Sequence, residues 1–505
     1  MCGVLGIYGH KYVAQDIYDG LITLQHRGQD ATGMVTYDGD VFHMKKGLGL
    51  VKDVFRTKNM LRLQGNVGIG HTRYSTIGEG GAGDAQPFLS QAFYGVAMAH
   101  NGNLFNSHEL KKELFEKDRR LVNSSCDVEV ILNVFTKALT KQKIDGPVNF
   151  DHICNAVSSC FKRSKGSYSV VSYISKQGMV AFRDPHGIRP LIMGKRKVGM
   201  YEDYIFASEK IALDILGFET VRDVKAGEVI WIDQKRNIHS KVLTNKKHIP
   251  CIFEYIYFAR PDSMIDNVSV YKARIRMGEK LADQIRKSKI DIDVVMPVPD
   301  SSRTSAMALA QKLDLPYREG LIKNRYIGRT FIMPGQEVRK KSIRYKLNAM
   351  PLEFKRKKVL LVDDSIVRGN TSKEIVRMCK EAGAKKLYFA SYSPPVKFPC
   401  VYGIDIPTSE ELIAYDNSIE DIRKYIGADK LFYGTLKNVF DSCIVKKSDI
   451  KDLCMACFDG KYKTGDVDKK VLHDVSESRL TEKACGSVED SFDSEEPGDE
   501  QLTII

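Results

Sequence analysis

Short apolar runs separated by amphipathic stretches make up the first 240 residues of the chain. Short apolar runs are typical of β-strands, whereas apolar residues recurring every three or four positions predict helices. Many short strands with a few helices predict an α+β domain built in layers. The predicted strands include Cys2–Tyr8, Val67–Gly70, Tyr94–His100 and Tyr168–Ile174, and the predicted helices include Ser107–Phe115 and Val128–Leu139.

Beyond about residue 265, strands and helices alternate, which predicts an α/β domain with a parallel sheet. The predicted strands are Asp293–Val298, Lys358–Val362 and Lys386–Tyr392, and the predicted helices are Arg274–Lys287, Ser302–Leu313 and Thr371–Ala382. Residues 489–500 are acidic and contain a Pro-Gly pair, a composition that predicts disorder. We therefore predict domains at 2–235 and 260–440, a cysteine-containing segment at 441–463, and a polar, disordered tail at 464–505.

Composition, charge and cysteine count argue against several classes of protein. Of the 505 residues, 43% are apolar and 28% are charged, as in soluble globular proteins. The sequence has neither the run of about 18 apolar residues that a membrane span needs nor a signal-peptide pattern. We therefore expect a cytoplasmic protein with no membrane partner. The net charge of +13 comes without any nucleic-acid-binding motif, so we expect a lysine-rich solvated surface and no nucleic-acid partner. Eleven cysteines, an odd number, favour reduced thiols over a disulfide framework.

Cys2 directly follows the initiator methionine. Cysteine is small, so removal of Met1 by an aminopeptidase is plausible and would place a thiol and a free α-amine on one residue. An α-amine has an ordinary pKa of about 7.7–8.0 and can therefore act as the base for its own thiol. The position alone is weak evidence, because a cysteine can stand near a chain end by chance.

Three downstream motifs give Cys2 a chemical context: Gln25-His26-Arg27-Gly28, His71-Thr72-Arg73 and His100-Asn101-Gly102. The last two end predicted strands, so we expect loops to present their side chains. Hydrolysis of an amide needs donors aimed at the developing oxyanion, and the Asn101 amide and the Gly102 N–H suit that task. Arg73 has the geometry to clamp a carboxylate, and a carboxylate such as Asp127 suits an α-ammonium group.

Together with Cys2-Gly3-Val4, these motifs resemble the glutaminase domain of class II, N-terminal-nucleophile amidotransferases, over about the first 230 residues. The resemblance implies a four-layer αββα sandwich with Cys2 as nucleophile and its amine as base. It also implies glutamine binding by Arg73 and Asp127 and an oxyanion hole at Asn101 and Gly102. Two stretches depart from the family pattern: Ser-Asp-Thr-Glu is here Cys126-Asp127-Val128-Glu129, and Asn-Ala-Gln-Pro is here Asp84-Ala85-Gln86-Pro87.

The segment from Val359 to Ser372 predicts a phosphate site. An apolar strand ends in Asp363 and Asp364, and a loop with Ser365 and Gly369 leads into a helix. Backbone N–H groups at a helix start bind phosphate, and strand-end carboxylates bind vicinal hydroxyls or a hard cation. The Gly-x4-Gly-Lys pattern of a Walker loop is missing.

This segment resembles the phosphoribosyl pyrophosphate signature of type I phosphoribosyltransferases. The resemblance implies one Mg²⁺ per subunit, at Ser301, Asp363 and Asp364. The basic stretch 323–346 resembles the flexible loop that closes over the substrate in this family, although a merely solvated basic loop remains an alternative. The implied phosphoribosyl pyrophosphate ligands are Asp363, Asp364, Ser365, Arg368, Gly369, Asn370, Thr371, Ser372 and Arg329.

A class II glutaminase followed by a type I phosphoribosyltransferase resembles the amidophosphoribosyltransferase family over residues 2 to about 463. The resemblance implies synthesis of 5-phosphoribosylamine, glutamate and pyrophosphate from glutamine, water and phosphoribosyl pyrophosphate, the first committed step of purine synthesis. It implies a homotetramer or homodimer and possible feedback by purine nucleotides. The alternatives are another class II amidotransferase, against which the segment around Asp363 argues, and a non-catalytic regulator of the same fold that binds phosphoribosyl pyrophosphate or nucleotides.

Four cysteines stand in contexts that match one branch of this family. By itself, the pair Cys454-Met455-Ala456-Cys457 is compatible with zinc, redox chemistry or plain thiols. In that branch, cysteines in these contexts hold one 4Fe-4S cluster per subunit. The resemblance therefore implies Cys251, Cys400, Cys454 and Cys457 as ligands.

Overall fold

The computed structural model describes residues 1–74, 81–144, 146–324, 346–406, 408–446, 448 and 450–477. The chain divides into two compact units. The first holds Met1–Pro250, Val401–Asp405 and the chain from Lys463 onward, and the second holds Cys251–Cys400 and Ile406–Tyr462. The short segment Val401–Asp405 thus belongs to the first unit although the second unit flanks it in sequence.

Two antiparallel sheets form the centre of the first unit. The strands are β1 (Gly3–Tyr8), β2 (Ala31–Tyr37), β3 (Phe42–Leu48), β4 (Val67–Arg73), β5 (Phe88–Ser90), β6 (Val96–Leu104), β7 (Gly166–Ile174), β8 (Gly178–Arg183), β9 (Ile192–Val198), β10 (Tyr201–Ala207), β11 (Glu219–Asp223), β12 (Glu228–Asp233) and β13 (Ile238–Val242). The strand orders are β11-β9-β10-β1-β4-β2-β3 and β13-β12-β8-β7-β6-β5. One apolar cluster combines side chains of both sheets, such as Val4 and Ile69 with Val171 and Ile230, so the sheets pack face to face.

Helices cover the outer face of each sheet. They are α1 (Ala14–Thr23), α2 (Val51–Val54), α3 (Thr57–Met60), α4 (Ser107–Glu116), α5 (Asp127–Thr140), α6 (Phe150–Arg163) and α7 (Lys210–Ile215), with short 3-10 turns at Gln25–Arg27 and Ala82–Asp84. Side chains of α1, α2 and α7 pack on the sheet that contains β1. Those of α4, α5 and α6 pack on the sheet that contains β6. The predicted αββα sandwich is therefore confirmed.

The second unit contains a four-stranded parallel sheet. The strands of this unit are β14 (Met264–Ile265), β15 (Val268–Ser269), β16 (Val294–Pro297), β17 (Leu321–Lys323), β18 (Leu347–Ala349), β19 (Lys358–Asp363), β20 (Lys386–Ser391) and β21 (Lys430–Tyr433). The pairs β14-β15 and β17-β18 form separate two-stranded sheets. The parallel order is β16-β19-β20-β21, as the alternating pattern predicted. Around it lie α8 (Val270–Lys287), α9 (Arg303–Leu313), α10 (Pro351–Phe354), α11 (Asn370–Glu381), α12 (Ile419–Ile426), α13 (Leu436–Cys443) and α14 (Ala456–Asp459), a 3-10 turn at Ser409–Glu411 and a π-helical turn at Glu254–Phe258.

Candidate active site

Cys2 directly precedes β1, a central strand of its sheet, and is 7% exposed. Its backbone N–H donates to Asn101 Oδ1 at 3.1 Å, and its carbonyl accepts from Arg27 Nε at 3.0 Å. Arg27 is itself paired with buried Glu209, which also bonds His26. These contacts fix the backbone of Cys2, so the Gln25–Arg27 motif positions the candidate nucleophile.

Met1 precedes Cys2 in the described chain and is almost fully buried. Burial, assisted by the positive charges of Arg189 and Arg27, lowers the pKa of the terminal amine to about 5. The amine of Met1 is therefore mostly neutral at pH 7.

Asn101 and Gly102 lie inside β6 rather than in the loop that the sequence predicted. The strand continues to Leu104 because β7 pairs with it, Gly102 opposite Tyr168. A Cβ at Gly102 would meet the Ser167 carbonyl oxygen at 2.0 Å, which explains the glycine. Asn101 is fully buried, and its Nδ2 has no hydrogen-bond partner in the described parts of the chain. An unpaired buried donor is costly, so this amide suits a group that arrives with the substrate.

Arg73 closes β4 and is 4% exposed. Its Nη2 lies 3.4 Å from Asp84 Oδ2. Burial alone would lower the pKa of Arg73, but interactions with the acidic groups of Cys126, Asp84, Cys2 and Asp127 raise it. Arg73 is therefore a buried, permanent cation near both Cys2 and Asp127.

Asp127 is the first residue of α5, and its Oδ2 accepts from the Leu104 N–H at 2.8 Å. His100 Nε2 lies 3.3 Å from the same oxygen without hydrogen-bond alignment. Burial would raise the pKa of Asp127, yet His100, the Leu104 N–H and Arg73 outweigh it and lower that pKa. Asp127 is therefore an anion at neutral pH and suits an ammonium group.

The structure also shows neighbours that the motifs did not single out. Asp84 accepts from Ser125 and from Arg73, and Gln86 Oε1 accepts from the His100 N–H at 2.8 Å. The departure from the family pattern at 84–87 was visible in the sequence, but the partners of these side chains were not. No motif or pattern in the sequence indicated a role for Glu209.

In the second unit, Asp363 ends β19 and Asp364 follows it, each 8% exposed. Ser301 Oγ donates to Asp364 Oδ1 at 2.8 Å, and Ser365 Oγ donates to Asp364 Oδ2 at 2.6 Å. Burial and the neighbouring Asp364 charge raise the pKa of Asp363 well above its usual range. Two buried acids with hydroxyl groups around them form an oxygen-rich site at the carboxyl end of a parallel strand, where α/β sheets bind ligands.

The loop after the acids leads into α11. Gly369 has a φ of 78°, and a Cβ there would lie 2.5 Å from Ile413 Cδ1. Asn370 and Thr371 are exposed at the helix start, whereas Ser372 is buried. Arg368 Nε pairs with Glu411 at 2.7 Å. The predicted phosphate loop thus leads into a helix whose first two residues are exposed, while Arg329 and most of the 323–346 stretch lie outside the described residues.

Backbone contacts bring the segments of the four motif cysteines together. Cys251 and Cys454 form a parallel bridge, and the N–H groups of Lys397 and Phe398 donate to the Cys457 carbonyl at 2.9 and 3.0 Å. Burial and then the charges of Cys400, Cys251 and Cys454 raise the pKa of Cys457 well above its usual range. Within the described residues, no group of three or more His, Cys, Asp or Glu side chains converges closely enough to hold a metal ion.

Comparisons with known proteins cover both units. A glutamine amidotransferase domain model matches residues 71–214, and a phosphoribosyl transferase domain model matches residues 265–392. In the described part of the chain, no helix has the length and apolar character to cross a membrane.

Several relatives that match nearly the whole chain are named amidophosphoribosyltransferase. The chain is 50% identical to the amidophosphoribosyltransferase of Pseudomonas aeruginosa, covering 95% of this chain and 96% of the relative. It is 43% identical to that of Schizosaccharomyces pombe, covering 100% and 98%. The solved glutamine phosphoribosylpyrophosphate amidotransferase of B. subtilis, complexed with ADP and GMP, matches with a TM-score of 0.80 at 40% identity over 92% of this chain and 97% of that one. On this evidence, the chain belongs to the amidophosphoribosyltransferase family.

Proposed function

We infer that this enzyme makes 5-phosphoribosylamine, with glutamate and pyrophosphate as the other products, from glutamine, water and phosphoribosyl pyrophosphate. The reaction is the first committed step of purine synthesis. The observation that carries this conclusion is full-length similarity to amidophosphoribosyltransferases together with a buried N-terminal cysteine in one unit and a strand-end acid pair in the other.

In the proposed glutaminase step, Cys2 Sγ attacks the side-chain amide carbon of glutamine. The Asn101 Nδ2–H and Gly102 N–H donate to the developing oxyanion. The α-amine of Cys2, freed by removal of Met1, takes the thiol proton and passes it to the leaving nitrogen, so the C–N bond breaks and ammonia departs. Water then hydrolyses the thioester, which releases glutamate and restores the thiol.

The ends of glutamine are held by opposite charges. Arg73 binds the α-carboxylate and Asp127 binds the α-ammonium group. Both side chains are buried, and in a water-poor site such ion pairs are stronger than at a surface. The lowered pKa of Asp127 keeps that carboxylate charged at neutral pH.

In the synthase step, ammonia attacks the anomeric carbon of phosphoribosyl pyrophosphate as the bond to pyrophosphate breaks. Asp363 and Asp364 accept from the ribose hydroxyls, and Ser365, Arg368, Gly369, Asn370, Thr371 and Ser372 hold the 5-phosphate, with Arg329 completing the site. A phosphate at the N-terminus of α11 is favoured by free N–H groups and by the helix dipole. Hard oxygen donors at Ser301, Asp363 and Asp364 suit one Mg²⁺, which when bound lowers the charge on the leaving pyrophosphate.

We also propose one 4Fe-4S cluster per subunit, held by Cys251, Cys400, Cys454 and Cys457. The four thiols are buried, and three of them raise the pKa of the fourth, so they lie within electrostatic range. In a cluster each thiolate binds a different iron, so its four ligands need not converge on one point as the ligands of a single ion must. Anaerobically purified protein should absorb in the visible range and contain iron and sulfide in equal amounts. A colourless, iron-free protein with full activity would contradict the cluster.

Purine nucleotides are expected feedback inhibitors, since the B. subtilis relative was solved with ADP and GMP. The assembly is expected to be a homotetramer or homodimer, and the compartment the cytoplasm. Light scattering with and without nucleotide would measure the assembly and its dependence on the ligand.

Replacing Cys2 with serine tests the inferred activity. Glutamine-dependent synthesis should disappear, while ammonia-dependent synthesis should persist because the second unit is unchanged. Cys154→Ser, a buried cysteine without an assigned role, is the control and should retain both activities. A non-catalytic regulator would produce no phosphoribosylamine from either nitrogen source, and that result would refute the inferred activity.

A further inference from the structure

Asp84 lies between the two parts of the proposed glutamine clamp, which consists of Arg73 for the α-carboxylate and Asp127 for the α-ammonium group. Its carboxylate, 5% exposed, lies 3.4 Å from Arg73 Nη2. It also accepts from the Ser125 N–H at 3.0 Å and from the Ser125 hydroxyl. Ser125 stands two residues before Asp127, the first residue of α5. One buried carboxylate therefore connects the end of β4, where Arg73 lies, with the start of α5, where Asp127 lies.

The backbone around Asp84 is itself held in place. Lys46 Nζ donates to the Ala85 carbonyl at 2.8 Å. Gln86 Oε1 accepts from the His100 N–H at 2.8 Å, which ties the turn to β6. A carboxylate on a fixed turn can hold a guanidinium in one orientation, whereas a carboxylate on a loose loop would follow it.

We propose that Asp84 is a positioning residue for glutamine recognition, setting the orientation of Arg73 and its spacing from Asp127. Glutamine carries its carboxylate and ammonium groups on one carbon, so Arg73 and Asp127 must lie at a defined separation to bind both. Asp84 makes no contact with the reacting amide. It therefore acts on glutamine affinity through Arg73 and leaves the chemical step to Cys2 and Asn101. This proposal rests on the proposed function of Arg73 and Asp127.

Asp84→Asn is the sharpest variant, because asparagine keeps the size and one oxygen. That oxygen can still accept from the Ser125 N–H, but the new NH2 group then faces the Arg73 guanidinium, donor against donor. We expect the KM for glutamine to rise about tenfold, the loss of one charge-assisted hydrogen bond, with kcat within about twofold and ammonia-dependent synthesis unchanged. Ser125→Ala keeps the Asp84–Arg73 pair and should raise KM by less.

A labelling assay on the full-length enzyme separates positioning from general damage. A diazoketone analogue of glutamine needs the clamp to reach Cys2, whereas iodoacetamide does not. Asp84→Asn should slow inactivation by the analogue at low concentration and leave the iodoacetamide rate at Cys2 unchanged. Asp118→Asn is the matched control, because Asp118 is a buried acid paired with Arg163 at 2.8 Å outside the proposed site, and its KM should stay at the wild-type value.

The outcomes separate this proposal from the proposed function. If Arg73→Gln raises KM strongly and Asp84→Asn leaves it unchanged, the role of Asp84 is refuted while the glutamine site stands. If both labelling rates fall together in Asp84→Asn, the residue is structural and the proposal also fails. If Arg73→Gln leaves KM unchanged, the glutamine site itself is misassigned. The double variant should be no worse than Arg73→Gln alone, since Asp84 acts through that side chain.

Discussion

Replacing Asn101 with alanine separates the proposed catalytic role of its amide from its structural role. In the enzyme as described, the Oδ1 atom accepts from the Cys2 N–H at 3.1 Å, whereas Nδ2 has no partner among the described residues. The variant therefore loses one ground-state hydrogen bond and one donor that, in the proposed mechanism, is used only when an oxyanion forms. The two losses have different magnitudes and different readouts.

The lost hydrogen bond to Cys2 is expected to cost about 1 kcal/mol of folding stability. The lost oxyanion donor is expected to cost about 2.7–4 kcal/mol in the transition state, a fall of roughly 10²–10³ in kcat for glutamine hydrolysis. Because the donor has no ground-state partner, KM for glutamine should change little. Ammonia-dependent synthesis should not change.

Glutamate release under saturating phosphoribosyl pyrophosphate measures the loss of the oxyanion donor, and thermal unfolding measures the loss of the hydrogen bond to Cys2. Asn103→Ala is the matched control, because Asn103 lies on the same strand, is 1% exposed, and donates through Nδ2 to the Val401 carbonyl at 2.9 Å. That variant should lose stability while keeping kcat. If Asn101→Ala kept its kcat within threefold, or if both variants lost kcat equally, the oxyanion assignment would be wrong.

Three further predictions concern other parts of the enzyme. Asp364→Asn removes a negative charge and leaves one oxygen where the Ser301 and Ser365 hydroxyls now donate to two, so synthesis from either nitrogen source should fall at least about a hundredfold while the glutamine hydrolysis proposed for Cys2 remains measurable; parallel loss of synthesis and hydrolysis would contradict separate sites. Cys457→Ser should lower the iron and sulfide content of anaerobically purified protein, whereas Cys379→Ser, a buried thiol of the same unit outside the proposed ligand set, should not; equal iron in both would contradict the ligand set. Burial raises the pKa of Cys126 to about 12, so only about one molecule in ten thousand carries that thiolate at pH 8, and mass spectrometry should find iodoacetamide on Cys2 well before it appears on Cys126.

The parts of the site that are contiguous in the chain could be predicted from the local sequence. The run from Asp363 to Ser372 places two acids, a positive-φ glycine and a helix start in one stretch, so strand, loop and helix could be predicted together. The alternation of strands and helices likewise predicted the parallel sheet of the second unit, because each strand is short, apolar and followed by an amphipathic helix.

Contacts between distant positions could not be predicted in the same way. Glu209 pairs with Arg27 across 182 positions, and Asp84 meets Ser125 across 41. The end of β6 was also misjudged, because His100, Asn101 and Asn103 are polar and their pairing with β7 continues the strand to Leu104. Polar residues in a central strand give no periodic signal, so their placement depends on the neighbouring strand.

The five residues Val401–Asp405 have a consequence for how the gene can be divided. The Val401 carbonyl accepts from the Asn103 amide at 2.9 Å, and the Tyr402 carbonyl accepts from the Ser167 hydroxyl at 2.7 Å. A fragment ending at residue 250 would leave both of these buried donors without acceptors, at about 1–3 kcal/mol each. The ammonia-producing half therefore cannot be expressed intact as a single continuous fragment: a cut at residue 250 removes Val401–Asp405, five residues of the first unit that lie within the sequence of the second.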